Sequence, residues 1–144
     1  MTYVDELESL YRLNEQPAPG WIAELRKREP LLLEALKHCG GTHTLDDIER
    51  GIVERRYQFW ASANAVIVTE IERYPAKKTL NMFLGAGDLR ELDQMRIDIE
   101  RWARLEGCVA ARMYGRPGWL RLYRRAGMDH GGYGVQSVTF EKEL

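Results

Sequence analysis

The sequence predicts an α+β fold: a mixed, mostly antiparallel sheet flanked by helices, with a helical N-terminal extension. Three strand-like segments with tight links follow one another between Tyr57 and Leu84, which is typical of an antiparallel meander. A strand, a long helix and another strand then span residues 78–113, and this order predicts a parallel pair of neighbouring strands. We therefore expect one domain of 144 residues, with helices in residues 1–56 and the sheet in residues 57–144.

The first part of the chain has apolar residues at helical spacing, interrupted by helix breakers. This spacing runs from Val4 to Leu13 and again from Trp21 to Arg28. We expect Pro30 to break or kink the helix, because proline lacks an N–H and clashes with the preceding turn. A helix then follows over residues 31–39, and Thr44 with two acids behind it predicts the N-cap of the next one.

The remaining elements alternate between strands and helices. Aromatic and β-branched residues favour the strands, and an apolar stripe marks the long helix. In the third strand, alternation predicts Leu80, Met82 and Leu84 on one face. The predicted segments, in order, are 57–60, 65–74, 78–84, 88–106, 108–113, 117–126 and 135–141.

A motif near the C-terminus points to a known superfamily. Residues 122–128, Leu-Tyr-Arg-Arg-Ala-Gly-Met, match the Leu-Tyr-x-x-x-Gly-Phe signature of GNAT N-acetyltransferases, with Met in place of Phe. The chain resembles this superfamily over roughly residues 57–144, which implies a GNAT-like fold. The runs at 99–103, 107–108 and 115–119 look most like small GNAT-like proteins encoded by tailed bacteriophages.

The resemblance implies a binding segment for acetyl-CoA before the long helix. GNAT enzymes carry a Gln/Arg-x-x-Gly-x-Gly/Ala loop here, whose backbone N–H groups hold the pyrophosphate at a helix N-terminus. Met82 stands in place of the Gln or Arg, and the loop would be Leu84, Gly85, Ala86 and Gly87. The alternative is a strand-to-helix turn that needs small residues.

Two carboxylates would weaken the binding of an anion at the start of this helix. An arginine later in the chain is a further candidate for binding the cofactor. Asp88 and Glu91 have the form of a capping box, so Asp88 would occupy the N–H groups that a phosphate needs. Each carboxylate would weaken anion binding by on the order of 1 kcal/mol. Arg116, within Gly-Arg-Pro-Gly-Trp, is a further cofactor-binding candidate that would hold a carboxylate or loop carbonyls.

Three residues are candidates for catalysis. The resemblance implies that Tyr123 protonates the departing CoA thiolate. A phenol with a pKa of ~10 can do so because the thiolate is about as basic as the phenolate that forms. The alternative is a tyrosine of the core. Glu70 and Glu72 share one strand face and would take the proton of an amine, unless that face is merely solvated. The glutamate that the family often carries on its fourth strand has no counterpart in residues 78–84.

Composition narrows the classes of function. The chain is 44% hydrophobic and 30% charged with a net charge of −1, which fits a soluble protein and argues against nucleic acid or membrane lipid as partners. No apolar run is long enough to cross a membrane, and residues 1–6 do not resemble a signal peptide. The histidines, Cys39 and Cys108 lack metal-ligand spacing, so we expect no metal. We expect the protein to be located in the cytoplasm of a bacterial host cell or to be associated with a virion.

Three functions therefore compete. The first is a GNAT-like N-acyltransferase that transfers an acetyl group from acetyl-CoA to a primary amine. The second is a non-catalytic GNAT-like phage protein that acts in virion structure or assembly. The third is a small module that binds a protein of the bacterial host. The sequence leaves open which amine is the acceptor and whether the chain forms a homo-oligomer.

Overall fold

The computed structural model describes residues 16–114, 118–128, 131–134 and 139–144. The chain divides into two compact units, Met1–Tyr114 and Gly115–Leu144. The helix predicted over residues 4–13 and the candidate Arg116 lie outside the described residues. The elements are α1 Trp21–Lys27, α2 Glu29–Leu36, α3 Leu45–Val53, β1 Tyr57–Ser62, β2 Ala65–Arg73, β3 Lys78–Gly87, α4 Leu89–Leu105, β4 Ala110–Met113 and α5 Gly118–Arg125.

The four strands form one sheet in the order β1-β2-β3-β4. Both β1 with β2 and β2 with β3 pair antiparallel, as tight links between consecutive strands require. The β3 and β4 strands pair parallel, from Thr79 opposite Ala110 to Met82 opposite Met113, with α4 as the crossover. The predicted fold class, a mixed and mostly antiparallel sheet flanked by helices, is confirmed.

Helices cover both faces of this sheet. Leu25, Leu32 and Ile52 from α1–α3 pack against Val66 and Val68 on one face. On the other face lies the apolar stripe of α4, and the Trp102 and Trp60 rings meet edge to face with centroids 5.2 Å apart. The two apolar layers explain why the first five residues of β2 are all buried, since this part of the strand has a covered face on each side. Within the described ranges, no helix has both the length and the apolar character that a membrane span needs.

The helix starts follow local chemistry. Thr44 caps α3 as predicted: its hydroxyl accepts from the Asp47 N–H at 3.2 Å, and the Asp47 carboxylate accepts from the Thr44 N–H at 2.9 Å. The break near Pro30 is confirmed, but it lies at Arg28, where α1 ends. Pro30 instead belongs to the first turn of α2, where a missing N–H costs nothing.

The prediction of one common face for Leu80, Met82 and Leu84 is wrong. Leu84 pairs with Val68 and Met82 pairs with Thr69, so Phe83 is an extra residue, a β-bulge in β3. Because side chains alternate with a period of two, one inserted residue reverses the facing of everything before it. Leu84 therefore joins the core under α1–α3, whereas Met82 and Leu80 face α4.

Several predicted strand boundaries also change, and the end of β3 is the one that affects the site. The β3 strand continues to Gly87 instead of ending at Leu84, because its last residues pair with the start of β2. Of the strand predicted over 135–141, residues 135–138 lie outside the described part, and residues 139–144 have no regular secondary structure.

Candidate functional site

The end of β3 extends past its parallel neighbour. Pairing with β4 stops at Met82, whose carbonyl accepts from the Tyr114 N–H at 3.2 Å. In the part of the chain that the structure describes, β4 thus offers no pairing to residues 83–87. A strand edge of this kind can bind an extended ligand through backbone hydrogen bonds.

The predicted cofactor segment, Leu84 to Gly87, is the end of a strand and not a loop. Gly87 has φ +119, and a Cβ there would lie 2.1 Å from the Asn64 carbonyl oxygen, so the turn itself requires this glycine. At Gly85, an added Cβ would make only ordinary contacts of 3.9 Å with Ile67 and Leu92. The turn therefore explains why residue 87 is a glycine. Packing does not require a glycine at residue 85, so close approach of a ligand remains an explanation there.

The N-terminus of α4 is capped by the chain's own carboxylate. One Asp88 oxygen accepts from the backbone N–H groups of Arg90 and Glu91, both at 3.0 Å. The predicted reciprocal bond from Glu91 to Asp88 does not form, because the Asp88 N–H donates to the Asn64 carbonyl. Glu91 accepts instead from the Asn64 N–H and the Ser62 hydroxyl, which lower its pKa. Two N–H groups that a pyrophosphate would use are already paired.

A row of polar side chains crosses the sheet on the α1–α3 face. Tyr57 is opposite Glu70, Glu70 is opposite Asn81, and Asn81 is opposite Arg112, one residue from each strand. We call these four residues the polar row. The Phe83 bulge determines its composition, because it turns Asn81 towards this face.

The Glu70 carboxyl has a pKa above its ordinary value. Burial raises its pKa, and the neighbouring Glu72 raises it further, while Arg56 and His43 oppose the shift. The His43 ring lies 6.2 Å from the Tyr57 ring and 5.5 Å from the Phe83 ring. Sequence reasoning missed His43, because nothing local in the loop before α3 shows that it folds over the sheet.

Glu72 shares the face of Glu70, as the period of two predicted, but its surroundings differ. Its carboxylate accepts a hydrogen bond from the Tyr74 hydroxyl, and this bond raises the pKa of Tyr74. Arg112 donates from Nη1 to the Tyr74 hydroxyl at 3.1 Å, and its guanidinium lies 5.3 Å from the ring centroid. Glu72 is thus already engaged as an acceptor.

Two buried polar side chains on the same face have no partner. Thr79 and Asn81 are 0% and 1% exposed, and neither the Thr79 hydroxyl nor either amide atom of Asn81 is hydrogen-bonded in the described chain. Thr69, equally buried on the opposite face, accepts from Trp60 at 3.0 Å and donates to Gln58 at 2.8 Å. Among the described residues, the unpaired buried side-chain atoms are therefore confined to the face that carries Glu70.

The second unit contains the remaining catalytic candidate. Tyr123 lies on α5 and is 5% exposed, and its carbonyl accepts from the Met128 N–H at 2.9 Å. Its role as a proton donor remains a prediction. Among the described residues, no group of three His, Cys, Asp or Glu side chains is arranged to hold a metal ion.

Comparison with known proteins shows the fold. No family model and no curated protein matches the chain. A solved structure described as a probable acetyltransferase is similar with a TM-score of 0.59 and 8% identity, over 83% of this chain and 94% of that one. At this identity the likeness shows the fold alone, and that fold is the GNAT-like one the sequence predicted.

Two further solved structures are similar at lower scores. A possible acetyltransferase from Clostridium difficile 630 has a TM-score of 0.48 and 14% identity, over 99% of this chain and 94% of that one. A mutant of the BH1408 protein from Bacillus halodurans has a TM-score of 0.49 and 13% identity, over 96% of each chain.

Proposed function

We propose that this chain is an N-acyltransferase that transfers an acetyl group from acetyl-CoA to a primary amine. The observation that carries the proposal is the position of Glu70, a carboxylate made more basic by burial, in the polar row. In the described part of the chain, the end of β3 extends past its neighbour β4, and the fold of the sheet is shared with a probable acetyltransferase.

The described residues fit an extended part of acetyl-CoA, but they do not fit its pyrophosphate. Its thioester would supply an acyl carbon open to attack by an amine. The backbone of Leu84, Gly85, Ala86 and Gly87 provides an edge for an extended donor, with Arg116 as the further candidate from the sequence. The helix start does not fit a pyrophosphate while the Asp88 carboxylate holds its N–H groups.

Glu70 would take the proton of the attacking amine. A raised pKa makes this carboxylate a stronger base, so it accepts a proton more readily than an ordinary glutamate. Glu72 is less suited, because its carboxylate already accepts from Tyr74. Tyr123, the tyrosine of the superfamily motif, would donate a proton to the leaving sulfur.

Release of free CoA thiol in the presence of amines tests this proposal. Removing a general base typically costs ~10²–10⁴ in rate, so Glu70→Gln should lower kcat/KM by about that factor. Glu72→Gln is the matched control, since it makes the same chemical change two residues away on the same face. Equal effects of the two variants, or no turnover of any amine, would contradict the assignment of Glu70.

A second candidate is a non-catalytic GNAT-like protein, and the Asp88 cap is the observation that favours it. On this proposal the fold acts in virion structure or assembly, or binds a protein of the bacterial host, as the phage-like motifs suggest. The chain would then be found in purified virions or with a copurified host protein. It would also fail to bind acetyl-CoA even when the Asp88 carboxylate is removed.

A further inference from the structure

Asn81 and Thr79 carry buried polar atoms that have no hydrogen-bond partner in the described part of the chain. Native proteins leave few buried polar groups unpaired, because each loses its hydrogen bonds to water without replacement. Here an amide with both a donor and an acceptor, and a hydroxyl two residues away on the same strand, are unpaired together. A ligand that satisfies them must offer hydrogen-bond donors and acceptors at once.

The charges on either side of Asn81 have opposite signs. Glu70 lies on the neighbouring strand at one side and Arg112 on the neighbouring strand at the other. Because strands are ~4.8 Å apart, the backbones of these two charged residues are about 10 Å from each other. Both side chains lie on the same face of the sheet as Asn81.

Arg112 still has the capacity to bind an anion. A guanidinium has five N–H donors, and the Tyr74 hydroxyl accepts from one of its nitrogens. Within the described ranges no carboxylate forms an ion pair with Arg112. A ligand carboxylate would thus provide the bidentate partner that arginine favours.

We propose that the acceptor is a zwitterionic α-amino acid, bound with its ammonium group at Glu70, its carboxylate at Arg112 and its two polar ends bridged by Asn81. This inference rests on the proposed function, because it names the acceptor of the same site. The Asn81 Oδ1 atom accepts from the amine and Nδ2 donates to the carboxylate, while the Thr79 hydroxyl supplies a second acceptor for the amine. A plain alkylamine leaves Nδ2 and Arg112 unmatched, and a plain carboxylate meets Glu70 with like charge.

Matched ligands test the proposal. The proteinogenic L-amino acids are screened by thermal shift, and the best binder is compared by calorimetry with its decarboxylated amine and its deaminated acid. We expect the amino acid to bind at least tenfold more tightly than either, because each analogue loses one charge-assisted contact. An amine that binds as tightly as its amino acid, or the absence of any amino acid binding, overturns the proposal.

Variants test the role of each residue. Asn81→Leu should weaken amino acid binding at least tenfold without lowering Tm, since it replaces an unpaired amide by an apolar side chain of similar size. Asn81→Ala serves the same purpose if the leucine variant does not fold. Arg112→Gln should bring amino acid and amine to similar affinity. Unchanged binding in a folded Asn81 variant overturns the assignment.

Failure of this inference can be told apart from failure of the proposed function. If acetyl-CoA is consumed with plain alkylamines as fast as with amino acids, the acceptor assignment is wrong and the acyl transfer stands. If an amino acid binds with the expected selectivity and acetyl-CoA is not consumed, the acceptor site stands and the acyl transfer is wrong.

Discussion

The cap of α4 gives the sharpest prediction, because it opposes the proposed cofactor. Asp88→Ala frees the N–H groups of Arg90 and Glu91 and removes one negative charge from the helix N-terminus. A phosphate at a helix end gains ~0.3–1 kcal/mol from the dipole. Relief of repulsion from a carboxylate a few ångströms away adds on the order of 1 kcal/mol. We therefore expect acetyl-CoA to bind about tenfold more tightly to the variant, measured by calorimetry.

The control for this variant is Thr44→Ala, which removes the N-cap of α3. Each substitution deletes one capping side chain and should cost about 1 kcal/mol of unfolding free energy. Only Asp88→Ala should change acetyl-CoA affinity, since α3 is not part of the proposed donor site. If the two variants lose similar stability and neither binds acetyl-CoA more tightly, the reasoning about the α4 N-terminus is refuted.

Three further predictions concern stability. Thr69→Val should lower the free energy of unfolding, measured with denaturant, by ~1–3 kcal/mol, because it leaves two buried partners unpaired. Thr79→Val should leave that free energy unchanged or raise it, and equal losses in the two variants would contradict this reasoning. Because the pKa of Glu70 is raised in the folded state, its protonated form favours folding and its ionised form opposes it. The stability that protonated Glu70 contributes is present at low pH and is lost as the pH rises through the folded-state pKa. Glu70→Gln should accordingly raise Tm at neutral pH and not below the ordinary glutamate pKa of 4.5. Gly87→Ala should lose at least ~1–2 kcal/mol from its left-handed backbone and the Asn64 clash, whereas Gly85→Ala should remain stable; a stable Gly87→Ala would contradict the turn geometry.

Much of the fold could be predicted because it follows from local patterns. The parallel pairing of β3 with β4 follows from a strand, a long amphipathic helix and a second strand in succession. Thr44 and Asp88 could be identified as caps because an N-cap is defined by residues within one turn. These features need no knowledge of distant contacts.

The site could be predicted only in part, because its composition depends on register. The Phe83 bulge reverses the facing of Asn81 relative to Leu84, and no local signal marks that insertion. Without it, Asn81 would not share a face with Glu70. His43 comes to this face through the packing of a loop between helices, which the sequence does not encode locally.

The glycines show how a motif and a structural requirement overlap. The Gly-x-Gly spacing of Gly85 and Gly87 predicted a cofactor loop, yet both residues belong to β3. Gly87 is required by close approach to the Asn64 carbonyl, so a bulky substitution there would disturb the turn whether or not a cofactor binds. A variant at Gly85 is the informative one, because the fold tolerates a side chain there.

The most direct test of the account is to follow backbone amide resonances during titration with acetyl-CoA. The proposed donor edge predicts saturable shifts concentrated in residues 83–87 at the end of β3, with residues 57–62 of β1 little changed. Shifts that spare residues 83–87, or no shift at millimolar acetyl-CoA in either the native chain or Asp88→Ala, would contradict the acyltransferase assignment.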